Sequence, residues 1–276
     1  MDTSRYDILV GVDGSASARR AADWAIAEAR RHTGSSLTLV LINDDPARES
    51  YARQAVAEIA ARCGEAQPSL EVGHEVAEGH PIEELVRRSS TADLLVLGSR
   101  GHGPVADALL GSVSVGVARR TSCPLVVIRG EETEQRGEVV VGVDDSVRSE
   151  AALEFGFTCA RNRAAELLVL RAMARHPQAR QARSGREAPS ERVEHDLAKR
   201  LERWGAWFPN VTARRIDVDK HPVTALLEIS RGADLVVVGR RGGGGFGGLM
   251  LGSVARGVLH RASCPVAMVP ESGDQE

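Results

Sequence analysis

The sequence predicts an α/β protein: two tandem doubly wound domains, each built on a five-stranded parallel sheet with strand order 3-2-1-4-5. Three observations carry this. The chain repeats itself, it alternates strand-like with helix-like patterns, and several strand-like segments are apolar throughout rather than at every second residue. The repeat is explicit. DILVGVD at Asp7–Asp13 returns as EVVVGVD at Glu138–Asp144, 131 residues later. ADLLVLG at Ala92–Gly98 returns as ADLVVVG at Ala233–Gly239, and SCPLVVI at Ser122–Ile128 returns as SCPVAMV at Ser263–Val269, both 141 residues later. The second copy therefore carries ten extra residues in its first half. A chain of 276 residues suits two domains, set here at 1–130 and 138–276. The polar stretch Arg129–Gly137, RGEETEQRG, reads as the linker between them.

Each element follows from its own pattern. Strand 1 is Ile8–Val12, and the helix after it covers Ser17–His32, with Ala21, Trp24, Ala25 and Ala29 on one stripe. Strand 2 is Leu37–Ile42, followed by a helix over Glu49–Cys63. Strand 3 spans Leu70–Val76, and Pro81 suits the first position of the next helix, where a missing N–H costs nothing. His80 and His221, each before a proline, read as helix-start residues. Strand 4 is Leu94–Leu97; a glycine-rich loop, a helix from Ser112 and strand 5 at Leu125–Ile128 complete the copy. The second copy has its strands at Val139–Val143, Leu167–Leu170, Val211–Val218, Leu235–Val238 and Val266–Val269. Continuous apolar runs mark strands buried on both faces, the condition of a parallel sheet covered by its crossover helices. Five such strands with intervening helices give a flavodoxin-like order. The extra residues fall near Ala174–Arg192, an Arg-rich stretch with two prolines that reads as a surface loop.

Composition excludes several function classes. Hydrophobic residues make up 42% of the chain and charged residues 26%, as in ordinary globular proteins. A net charge of −3 does not favour nucleic acid or an anionic membrane as partner. There is no apolar signal core, and no apolar run approaches the roughly 20 residues that span a bilayer, so the chain reads as cytoplasmic. Cys63, Cys123, Cys159 and Cys264 form no CxxC pair, which argues against zinc ribbons and thioredoxin-type motifs. Cys123 and Cys264 sit in Ser-Cys-Pro steps and read as buried structural thiols. The only lysines, Lys199 and Lys220, lie outside any glycine loop, so a G-x4-G-K-[ST] P-loop is absent. Gly11 and Gly14 do not supply a G-x-G-x-x-G dinucleotide fingerprint. With 3% aromatics and no glycine-rich loop after strand 1, a flavin is weakly supported. No nucleophile–base constellation is evident.

The chemistry concentrates at the carboxyl ends of strands 1 and 4, where strand order switches and open α/β sheets bind ligands. Copy one places Gly11-Val12-Asp13 at the first and Leu97-Gly98-Ser99-Arg100-Gly101-His102-Gly103 at the second; Gly111 and Ser112 then open a helix. Copy two places Gly142-Val143-Asp144 and Val238-Gly239-Arg240-Arg241-Gly242 there, with Gly252 and Ser253 opening the helix. The spacing G-x2-G-x9-G-S thus occurs twice. It suits a polyphosphate: glycines admit backbone N–H groups to an anion, and a helix start adds unpaired donors. Ser112 and Ser253 are expected to cap those helices and add a hydroxyl. Asp13 and Asp144 suit a ribose hydroxyl or a metal better than a phosphate. His102, inside the loop, is either a phosphate contact or a solvated loop residue; copy two has Gly243 there.

G-x2-G-x9-G-[ST] after a strand, with VGVD at the domain start, resembles the ATP-binding branch of the universal stress protein family, and the resemblance covers nearly the whole chain as two tandem copies. It implies ATP or a related adenine nucleotide as bound ligand, with accompanying magnesium left open. It implies that Asp13 and Asp144 contact ribose, and that Ile42 and Ala172, at the ends of the second strands, border adenine. It implies that Gly98, Arg100, Gly101, Gly111, Ser112, Val113 and Ser114 surround the phosphates in copy one. The matches in copy two are Gly239, Arg241, Gly242, Gly252, Ser253 and Val254, followed by Ala255, which lacks the Ser114 hydroxyl. Together with Asp145 and the run Gly242–Gly245, Ala255 points to weaker binding in copy two, while Arg240 and Arg241 add positive charge there. The expected function is a nucleotide-binding stress-response regulator or sensor; the alternative is a slow ATP hydrolase or phosphotransferase. The resemblance also implies that the two copies pack through their fifth strands, and a homodimer of the whole chain is a further expectation.

Overall fold

The structure, a computed structural model, describes residues 5–101, 110–130, 137–144, 146–172, 189–242 and 251–271, the side chains of 189–196 excepted. The first half runs β1 (Tyr6–Val12), α1 (Ala16–Ala29), β2 (Ser35–Asn43), α2 (Glu49–Ala66), β3 (Glu71–Glu78), α3 (Pro81–Arg88), β4 (Leu94–Gly98), α4 (Ser112–Ala118) and β5 (Leu125–Ile128). The second runs β6 (Glu138–Val143), α5 (Glu150–Arg163), β7 (Glu166–Ala172), α6 (Pro189–Trp207), β8 (Ala213–Val218), α7 (Pro222–Ile229), β9 (Leu235–Gly239), α8 (Ser253–Arg261) and β10 (Val266–Val269). The strands form one sheet in the order β3-β2-β1-β4-β5-β10-β9-β6-β7-β8. Each half therefore has the order 3-2-1-4-5, and its neighbouring strands are parallel. Most of the Arg-rich stretch 174–192 lies outside the described residues. No helix among the described residues is long and apolar enough to cross a membrane.

The apolar runs are explained by burial on both faces. Ile8 and Val10 pack toward α1 and α2, whereas Leu95 and Leu97 pack toward α3 and α4, and the second half repeats this with α5 and α6 against α7 and α8. α3 and α7 begin alike, with His80 and His221 at the cap and proline inside the first turn. The four cysteines are buried and free. Burial pushes the Cys123 thiol up to about 11 and the Cys159 thiol to about 12, so both are inert thiols at neutral pH.

The two halves meet where β5 and β10 pair antiparallel, Val127 opposite Val266 and Leu125 opposite Met268. Every residue of both strands is buried. The start of the expected linker belongs to this seam. Arg129 is buried, and it donates from Nε to the carbonyl of Ala262 at 2.9 Å and from Nη2 to that of His260 at 3.0 Å. Gly130 has φ +77°, and a side chain there would collide with the Ser263 carbonyl.

On the α1 face a second contact closes the seam. Glu28 of α1 is 2% exposed, an unusual place for a carboxylate. Its carboxylate receives Arg163 Nη2 of α5 at 2.5 Å, and His32 Nε2 lies 3.3 Å from its other oxygen. The Arg163 guanidinium stands over the Trp24 ring at 5.6 Å, and His32 stacks on Tyr6 at 3.7 Å. Burial alone would raise the Glu28 pKa. The His32 contact and the Arg163 and Arg31 charges outweigh it, and the value lies below the ordinary 4.5.

Breaking a buried pair by removing one partner leaves an uncompensated charge, so Glu28→Ala is expected to cost about 3–5 kcal/mol, read by denaturant unfolding at neutral pH. Because the folded pKa is lowered, this contribution is present above the unfolded value near 4.5 and is lost as pH falls through the folded value. The acid limb of stability against pH should accordingly flatten in Glu28→Gln.

Candidate functional site

Both candidate sites lie where the carboxyl ends of β1 and β4, and of β6 and β9, face the loops that follow them. In the first, the Asp13 carboxylate accepts from the Ser15 N–H at 2.9 Å, which turns the chain into α1. Its other oxygen lies against Gly101, so close that a Cβ on Gly101 would overlap it. The second domain repeats the arrangement: Asp144 accepts from the Ser146 N–H at 3.1 Å and its hydroxyl at 2.6 Å, and a Cβ on Gly242 would come within 2.8 Å of the carboxylate. Each loop then closes on itself. The Gly111 N–H donates to the Ser99 carbonyl at 2.8 Å, and the Gly252 N–H donates to the Arg240 carbonyl at 2.9 Å. The two ends of each G-x9-G spacing are thereby held together, while residues 102–109 and 243–250 between them lie outside the described residues.

The other expected site residues fall into groups. Gly11 and Gly142 are packed against leucines, with Leu97 Cδ2 at 2.5 Å from a Cβ on the first and Leu226 Cδ1 at 3.1 Å from one on the second. Val12, Leu97, Val143 and Val238 have core side chains, so only their backbone reaches the strand ends. Ile42 and Ala172 are half-buried at the ends of β2 and β7. Arg100 and Ser112 are exposed, as is Ser253, while Gly239, Arg241, Val113 and Val254 are half-buried. His102, Gly103 and Asp145 lie outside the described residues.

Two expectations are corrected, the cap role of Ser112 and Ser253 and the charge of Arg240, and Ser114 is given a partner within the loop. Gly111 and Gly252 are the helix caps, without a side-chain cap bond, and Ser112 and Ser253 are the first helical residues. Glycine supplies the extended backbone of a cap and brings that backbone close to the loop, which leaves each serine one position inside the helix. Ser114 is buried, and its hydroxyl donates to the Gly98 carbonyl at 2.8 Å; it pins the loop to α4. Ala255 leaves Gly239 without that bond. Arg240 does not add its charge to the loop, because its buried guanidinium donates to the Thr121 carbonyl of the first domain at 2.8 Å.

Two serines and a tyrosine at the first site escape sequence reasoning. Ser15 caps α1 and accepts from the Ala18 N–H at 3.1 Å. The Ser17 hydroxyl accepts from the Arg100 N–H at 3.3 Å. The Ser-x-Ser after Gly14 was legible only as a helix start. Tyr51 of α2 is 53% exposed, and its hydroxyl would be 3.0 Å from a Cβ on Gly14, beside Asp13. Gly14 has φ +86°, a left-handed backbone that glycine adopts without strain.

Gly98 and Gly111 differ in what they tolerate. A Cβ on Gly98 would stand 2.8 Å from the Ser17 carbonyl carbon, whereas one on Gly111 would meet nothing nearer than 3.5 Å. Gly98→Ala should destabilise the protein by about 1–3 kcal/mol through backbone overlap, and Gly111→Ala by clearly less, measured by chemical denaturation.

Comparison with known proteins follows the geometry. The family model described as "Universal stress protein family" matches residues 6–129 and 136–270. A universal stress protein of Mycobacterium tuberculosis H37Rv is 33% identical over 289 residues, covering 97% of this chain and 98% of that protein. Another from the same organism is 33% identical over 293 residues, covering 98% of both. The crystal structure of a universal stress protein from Archaeoglobus fulgidus aligns with a TM-score of 0.74 at 19% identity, covering 98% of this chain and 97% of that one, a likeness of fold.

Proposed function

This chain belongs to the universal stress protein family, and from that premise we propose that each of its two domains, 1–130 and 138–276, binds ATP or a related adenine nucleotide in a regulatory or sensing role. The observation that carries the reading is the carboxylate set against a loop glycine at the end of the first strand, Asp13 on Gly101 and Asp144 on Gly242, repeated in both halves. A carboxylate in that place repels phosphate and accepts from ribose hydroxyls. The glycines beside it leave bare backbone for the phosphate groups. In the first site the nucleotide rests on Gly11, Val12, Asp13, Ile42, Leu97, Gly98, Arg100, Gly101, His102, Gly103, Gly111, Ser112, Val113 and Ser114. In the second it rests on Gly142, Val143, Asp144, Ala172, Val238, Gly239, Arg241, Gly242, Gly252, Ser253 and Val254.

No group of three His, Cys, Asp or Glu able to hold a metal occurs among the described residues. Any magnesium that accompanies the nucleotide would take its phosphates, water and one or two carboxylates, with Asp13 and Asp144 the candidates on this chain. The second site is the weaker one, since Ala255 removes the loop pin and Arg240 is committed elsewhere. A homodimer of the whole chain would use a surface other than β5 and β10, which are already paired.

Calorimetry of the purified chain with ATP should give two sites per chain, and Gly101→Val should abolish the first by moving Asp13 and filling the phosphate approach. An unchanged isotherm in Gly101→Val rejects the assignment. Ser114→Ala should weaken the first site about two- to tenfold, the worth of one hydrogen bond that orders the loop. A multiple-turnover assay with magnesium separates a nucleotide-binding regulator from a hydrolase.

A further inference from the structure

Besides Arg163, two buried arginines cross the seam, and both lie next to the strands and loops of the candidate sites. Among the described residues, three bonds of Arg240 bear on the sites. Its N–H donates to Val269 of β10 at 2.8 Å, its carbonyl accepts from Gly252 at the start of α8, and its Nη1 donates to Thr121, just past the end of α4, at 2.8 Å. One residue thus fixes the loop of the second site and the far end of the helix that opens the first. Arg129 is the converse. It follows Ile128, which pairs with Gly98 of the first site's loop, and it holds the carbonyls of His260 and Ala262 at the end of α8. Burial holds the Arg129 pKa below its ordinary value, and the charge of Arg100 adds to the effect. Cations are favoured at the carbonyl end of a helix, where acceptors lack intrahelical partners.

The clamps are not related by the repeat. At the 141-residue offset Arg129 matches Pro270, and Arg240 matches Ser99. Two different positions therefore give each domain an arginine beside its own site and on the other domain's helix. A mere seal of the seam needs no cation beside a glycine loop.

We propose that the two nucleotide sites are coupled, with Arg240 as the link: it already joins the second site's loop to Thr121 at the end of α4, so a ligand that steadies Gly239–Gly242 steadies that joint and with it α4 at the first site. This rests on the nucleotide reading above. Ligands that order shared structure bind with positive cooperativity, and the effect is reciprocal.

The test is calorimetry with ATP on the full chain. Gly242→Val, which disables the second site and touches no residue of the first, should weaken the first site about fivefold or more, within the usual range of coupling. Arg240→Met should weaken the first site to a similar degree, and adding Gly242→Val to it should cost nothing further. Should Arg240→Met not fold, hydrogen exchange of α4 amides in the Gly101→Val chain decides: ATP in the second site should slow exchange at Val117 and Ala118. First-site affinity within twofold of wild type in Gly242→Val, or unchanged α4 exchange, overturns the coupling alone. A chain that takes up no ATP at either site overturns the nucleotide reading and the coupling with it.

Discussion

A five-stranded sheet in the order 3-2-1-4-5 leaves its fifth strand at an edge. Here that strand is apolar on both faces, because helices cover the sheet on either side and the residues that face them are Leu125–Ile128 and Val266–Val269. An edge of this kind carries unpaired backbone donors and acceptors between two greasy faces, a template for unwanted pairing. The antiparallel pairing of β5 with β10 removes both edges at once. Most of what distinguishes this chain from two independent domains follows from it. The cores run on across the seam, with Val126 and Ala267 on one face and Leu125 and Met268 on the other. The end of α5 is brought against α1, where Glu28 is buried with Arg163.

The same pairing explains what could be read in the sequence. Strands β1, β4, β6 and β9 are central, covered on both faces, and therefore written as unbroken apolar runs whose bounds were right to within about two residues, the usual fraying of element ends. β3 is an outer strand with polar residues such as His74 and Glu75, and its pattern marked its place better than its ends; it runs Glu71–Glu78, where Leu70–Val76 was expected. The candidate site was legible because glycine spacing records backbone geometry directly. Gly98, Gly101 and Gly111 lie where a Cβ is excluded or where the backbone closes on itself.

The misread residues cluster at the seam. Arg129 has the look of a linker charge and Arg240 of a positive charge added to the glycine loop, while nothing in the pattern around Glu28 marks it as buried. Each reading is reasonable for a domain taken singly. Each fails because the neighbour that completes the environment lies more than a hundred residues away in the chain, and no local pattern encodes it. Helix-cap chemistry failed for another reason. Serine and glycine both favour the cap, and with Gly111 next to Ser112 only the closing bond to Ser99 decides between them.

Duplication followed by divergence leaves a particular record here. The parts that would touch a ligand remain matched: Asp13 with Asp144, Gly101 with Gly242, Gly111 with Gly252. The parts that hold the halves together do not match, since Arg129 stands opposite Pro270 and Arg240 opposite Ser99. A symmetric dimer of identical domains must place every contact twice, so a bulky arginine that suits one side must also fit on the other. Tandem fusion lifts that constraint, and each half then takes the side chain its own place requires. The cost is borne by the sites. A loop whose arginine is drawn into the seam, and whose helix carries alanine where its twin carries serine, no longer has the same anchorage as the other. Two loops matched in sequence thereby become unequal in how they are anchored.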